Sequence, residues 1–123
     1  MSTTISGTNG VTFPDSTSMQ TGQQACKAWV NFNGTGTVAI RAAYNVSSIT
    51  DNGTGDYMVN FTTAMPDANY AVGGIPSKPA VTGHVIRGIN IIGSSTSLCR
   101  VCVDYAGGTS NYDETYVMVQ FFR

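Results

Sequence analysis

The chain reads as an all-β protein, an antiparallel β-sandwich or compact barrel of about eight strands. Three observations predict this. Short runs rich in β-branched and aromatic residues alternate with a period of two, clusters of turn residues separate them at close intervals, and no window combines helical periodicity with caps at both ends.

Residues 1–25, MSTTISGTNGVTFPDSTSMQTGQQA, are short in apolar residues and dense in turn formers. Ile5, Val11 and Phe13 are the only substantial anchors, so this part cannot make a core alone. Val11 and Phe13 share one face of an extended triplet, and Pro14-Asp15-Ser16 turns the chain. So short a strand needs a partner, in the body or in another subunit. Residues 1–25 are therefore expected to be an extended segment for assembly or attachment, with Ile5, Val11 and Phe13 as its contacts. Residues 26–123 are expected to be the sandwich domain.

From Ala28 onward the runs have strand length. AWVNF opens the series, and TVAIRAAY places Val38, Ile40, Ala42 and Tyr44 on one side with Ala39, Arg41 and Ala43 on the other. Asn33-Gly34-Thr35-Gly36 between them reads as a hairpin loop. VSSIT and DYMVNFT follow, the second with Tyr57, Val59 and Phe61 alternating with Met58, Asn60 and Thr62. MPDANY turns into YAVGG, and VIRGINII, SLCRVCVDY and TYVMVQFF complete the set. The connection DNGTGD, Asp51 to Asp56, has the Asn and Gly chemistry of a hairpin bend. Its rival reading is a Ca²⁺ site made by Asp51, Asn52 and Asp56, but it lacks the regular acidic spacing and the closing bidentate Glu.

The length of 123 residues suits one domain. Only 11% of residues are charged against 41% hydrophobic, so Ser, Thr, Asn and Gln must build the polar surface. Little charge repulsion keeps copies of such a surface apart, which suits a subunit of an assembly. With a net charge of -1 and six scattered basic residues, no nucleic-acid partner is expected. MSTTISGTNGVTF has neither a basic n-region nor an apolar h-region, and no stretch approaches the roughly 18 apolar residues of a membrane span. Cytoplasmic synthesis and no membrane partner are the expectations. Cys26, Cys99 and Cys102 do not resemble a disulfide framework and are expected to be thiols.

Convergent catalytic chemistry is thin. His84 stands without a serine elbow or zinc-binding repeat around it. The carboxylates, Asp113 and Glu114 included, fall mostly in loops, where solvation is expected. Cys99-Arg-Val-Cys102 matches C-x-x-C, yet SLCRVCVDY is continuous strand that points the two thiols to opposite sides. Gly73-Gly74 and Gly107-Gly108 lack the Lys and the helix of a phosphate loop. No catalytic residue, metal or cofactor is expected. What remains is AGGTSNYDETY, Ala106 to Tyr116, with tyrosines beside small adaptable residues, the composition of a binding loop. Tyr105, Thr109, Asn111, Tyr112 and Tyr116 are its candidate receptor-facing residues.

ACKAWVNFNGTGTVAIRAAYNVSSITDNGTGDYMVNFTTAMPDANYAV, Ala25 to Val72, resembles a segment recurring in tail-fibre and other virion structural proteins of tailed bacteriophages. The upstream ISGTNGVTFPDSTS resembles the short lead-in that often precedes it. The resemblance spans roughly residues 5–72 and includes Trp29, the two Asn-Gly-Thr-Gly turns and TTAMPDANY. It implies a β-rich, homotrimeric virion module, often at the host-facing end of a fibre, and transfers no catalytic or ligand residue. The function expected is a non-enzymatic tail-fibre or short-fibre module contributing to host attachment and residing in the virion. Its expected partners are itself, other proteins of tail, baseplate or capsid, and a host-surface glycan or protein. Two alternatives are a capsid decoration protein, as head fibre or cement, and a small glycan hydrolase acting through Asp51, Asp56 or Asp104.

Overall fold

A computed structural model describes residues 2–7, 10–19, 25–78, 86–105 and 109–123. Among these residues the chain forms no helix. Its strands are β1 (Thr4–Ser6), β2 (Gly10–Thr12), β3 (Ser18–Met19), β4 (Cys26–Asn33), β5 (Ala39–Tyr44), β6 (Val46–Gly53), β7 (Asp56–Phe61), β8 (Ala71–Ser77), β9 (Arg87–Ser94), β10 (Leu98–Tyr105) and β11 (Tyr116–Phe122). They make three antiparallel sheets of order β1-β2-β3, β6-β7-β10-β9 and β5-β4-β11-β8, none closed into a barrel. The eight strands from β4 to β11 correspond one for one to the runs read from the sequence.

The two four-stranded sheets share one core. Ala28, Val30 and Phe32 of β4 and Val117, Val119 and Phe121 of β11 meet Tyr57, Val59 and Phe61 of β7 and Cys99, Val101 and Val103 of β10. Period two puts each triplet on one face, and burying each large apolar side chain stabilises by about 1.5–3 kcal/mol. Edge-to-face contacts cross between the sheets, Phe32 with Tyr57 and Phe61 with Phe121, both at 5.0 Å between ring centroids. Pro76, which cannot donate to a ladder, sits in β8 at a sheet edge.

Strict alternation fails in β5. The register pairs Ala42 with Asn31 and Ile40 with Phe32, leaving Arg41 as the extra residue of a bulge. A bulge reverses the facing on one side of itself. Val38 and Ala43, expected on opposite faces, therefore both pack against the core.

The described strands of the N-terminal segment form a small sheet of their own. They pair among themselves, Ile5 with Val11 and Val11 with Met19, so the short strands find partners inside the segment. Among the described residues no ladder joins this small sheet to the other two. Of the segment's apolar side chains Ile5 is 82% exposed, Phe13 38%, and Val11 and Met19 are half-buried.

Registers also give the body two distinct ends. Cys26 pairs with Phe122 and Phe122 with Ala71 at one end, while Phe32 pairs with Val117 and Tyr116 with Ser77 near the other. The hairpin tip of β6 and β7 and the β10–β11 connection lie at the second end, next to Gly34.

Candidate functional site

The β10–β11 loop is built on the tip of the β6–β7 hairpin. At that tip Gly53 and Gly55 take φ of 130° and 62°, values that favour glycine, and the Gly53 N–H donates to Asp51 Oδ1 at 2.9 Å. The Gly55 N–H then donates to Asp113 Oδ1 at 2.7 Å, and the Val103 N–H donates to the Gly55 carbonyl at 2.8 Å. Tyr112 N–H continues the chain of bonds to the Val103 carbonyl at 2.9 Å. DNGTGD is thus a turn, and the turn is also the seat of the loop.

Tyr57 fastens the loop from inside the core. Its hydroxyl lies 2.8 Å from Asp113 Oδ1 and 2.9 Å from the Gly34 carbonyl, two acceptors for one proton. Burial, and next the Asp113 carboxylate, push the phenol well above its ordinary pKa. Gly34 must lack a side chain, because a Cβ there would stand 2.5 Å from the Tyr57 hydroxyl. Its N–H donates to the Glu114 carbonyl at 2.9 Å. Tyr112, Asp113 and Glu114 are therefore fastened to the body by hydrogen bonds.

Two cation–aromatic stacks flank it. The Arg87 guanidinium lies 3.6 Å from the Tyr112 ring centroid and 5.7 Å from that of Tyr105, while its Nε donates to Glu114 Oε1 at 3.0 Å. Lys78 Nζ is 3.8 Å from the same oxygen. Arg41 lies 4.3 Å over the Tyr116 ring and donates from Nη1 to the Thr115 carbonyl at 2.6 Å. The stacks hold flat aromatic and guanidinium planes in place, which suits weak contact with glycan or protein.

Glu114 corrects an expectation. It is 2% exposed, and its Oε2 is buried without a hydrogen-bond partner among the described residues. A buried carboxylate needs compensating charge, and Arg87 and Lys78 supply it from positions distant in sequence. No local pattern in DETY could reveal them.

Of the five loop residues expected to face a receptor, Tyr105, Thr109, Asn111 and Tyr112 are exposed, and Asn111 forms a bridge to Asp104. Tyr116 is half-buried, its ring covered by Arg41. Ile5 and Val11 pair in the small sheet, and Phe13 lies in the connection between its strands β2 and β3. His84 and Gly107-Gly108 lie outside the described residues.

The remaining motifs find structural partners. Asn52 points its Nδ2 donor, not an oxygen, at Asp56 Oδ1 at 3.4 Å, and Arg100 Nε donates to the same Asp56 oxygen at 2.9 Å. The Arg100 guanidinium beside Asp56 holds its carboxyl below the usual carboxylate range, the opposite of what a general acid needs. Asp51 serves the turn, and Asp104 Oδ2 accepts from Asn90. Cys99 joins the core cluster and Cys102 points to the other side of β10; burial pushes both thiols up. No group of three or more His, Cys, Asp or Glu among the described residues could hold a metal ion.

A shallow cleft of about 540 Å³ lies at the opposite end, lined by Lys27, Tyr44, Asn45, Thr62, Thr63, Ala64, Met65 and Pro66. Asn45, at φ 55°, donates to the carbonyls of Lys27 and Thr63, both at 3.1 Å, and accepts from the Thr63 N–H at 2.7 Å. That end is tied together where residues 1–25 join the body.

Comparison with protein-family models, curated proteins and solved structures finds no match to this chain.

Proposed function

We propose that this chain is a structural protein of a tailed-bacteriophage virion, a homotrimeric tail-fibre or short-fibre module of β-sandwich form that contributes to host attachment. The observation that carries the reading is its polarity. The N-terminal segment enters at Cys26, and the loop bearing Tyr105, Asn111 and Tyr112 stands at the far end of β4, roughly 25 Å away by the rise of eight extended residues. One end is free to join an assembly while the other presents a fixed aromatic and cationic surface. The resemblance of residues 5–72 to virion proteins and the charged fraction of 11% support the same reading. Affinity would come from many weak contacts made at once, each loop contributing little alone.

Competition for adsorption tests it. Host bacteria pre-incubated with the purified protein should adsorb several-fold fewer phage particles, and Tyr105→Ala, at an exposed position, should weaken that protection. Undiminished adsorption at saturating folded protein would refute the host-attachment role.

A further inference from the structure

The outer surfaces of the two large sheets differ in kind. On β6-β7-β10-β9 the polar side chains satisfy one another: Asn60 Nδ2 donates to Ser48 Oγ at 3.1 Å and Thr50 Oγ1 at 2.9 Å, Arg100 pairs with Asp56, and Asn90 with Asp104. Paired polar side chains dominate that surface, and its exposed apolar residues, Ile91 and Ile92, are confined to the edge strand β9. On β5-β4-β11-β8 the register aligns two rows across all four strands, Tyr44-Trp29-Gln120-Gly73 and Ala42-Asn31-Met118-Ile75. Neither row contains a charge. Trp29 is 40%, Tyr44 57% and Ile75 65% exposed, and Phe122 adds a further exposed ring at the margin. At roughly 200 Å² for an aromatic side chain, these four residues alone expose on the order of 400 Å², half of the ~800 Å² each partner gives to a stable interface.

We infer that the outer face of β5-β4-β11-β8 is the surface through which copies of this chain associate. A second copy fits it better than a charged partner, since the two rows hold no ion for such a partner to pair with. The polar group at its centre is also its own complement. Asn31 Oδ1 is buried with no hydrogen-bond partner among the described residues, and an amide carries donor and acceptor together on a broad χ2. Rotation of that amide toward the open face lets it meet the same amides of the two other copies where the three-fold axis passes. The number of copies rests on the trimer proposed above; the location of the interface rests on this surface alone.

Mass measurement by light scattering decides, separately from any adsorption assay. The parent should have a mass three times 12.9 kDa at micromolar concentration. Ile75→Lys combined with Trp29→Lys should lower it to 12.9 kDa with an unchanged circular-dichroism spectrum, whereas Thr50→Lys on the other sheet should not. Ile75→Lys alone, at the most exposed of these positions, should weaken association and serves if the double variant does not fold. A monomeric parent would overturn the inference. So would an oligomer that survives the face substitutions, or one that dissociates only with Ile5→Ser and Phe13→Ser.

Discussion

At the scale of single residues, the core holds several groups that are stable only in their neutral form. Burial raises the pKa of Cys99, Cys102, Tyr57 and Tyr70 in the folded chain. A raised folded pKa contributes stability that is full below the unfolded value and lost as pH climbs toward the folded one. Asp56 has the opposite sign: Arg100 lowers its pKa, so its contribution is present above the unfolded carboxylate range and lost as pH falls through the folded value. The melting temperature should therefore hold a plateau between about pH 4 and 8.5, decline first as unfolded thiols ionise, and decline further above about pH 10 as unfolded tyrosines do. A melting temperature still rising at pH 9.5 would contradict this account of the core.

At the scale of elements, the sequence located every strand of the body because alternation and turn residues are local signals. Tyr57, Val59 and Phe61 announce their face by spacing alone. The Arg41 bulge was not legible, since one inserted residue leaves composition unchanged while reversing the alternation on one side of it. Nor was the pairing of residues 4–19 among themselves, which depends on register rather than on residue type. Four of the loop residues were legible as exposed, but the groups that fix and balance the loop, Gly34, Gly55 with Tyr57, Arg87 and Lys78, come from four other parts of the chain. The hairpin tip offers the sharpest test of that arrangement. Gly36 and Gly55 share a φ near 60°, but a Cβ on Gly36 meets nothing within 4 Å, whereas one on Gly55 would stand 2.6–2.8 Å from backbone atoms of Tyr112 and Val103. Gly36→Ala should cost about 1 kcal/mol from the left-handed conformation alone. Gly55→Ala should cost about 3 kcal/mol, because the loop backbone must also move. Equal costs in urea unfolding would mean that the loop does not rest on the turn.

At the scale of the whole molecule, three features fit the proposed role of a projecting subunit. Cys26 stands at one end of the body, the two charge-free rows of β5-β4-β11-β8 form the proposed contact face, and the Arg87–Tyr112 surface lies at the far end. The low charge that suggested assembly from composition has a specific address, since the paired ions and polar side chains cluster on the opposite sheet and at the ends. A density map of the purified phage particle tests the arrangement in one step. The account predicts this chain in the particle as a trimer with Cys26 toward the virion and Tyr105, Asn111 and Tyr112 outward; its absence from the particle, or those residues buried against another virion protein, would contradict it.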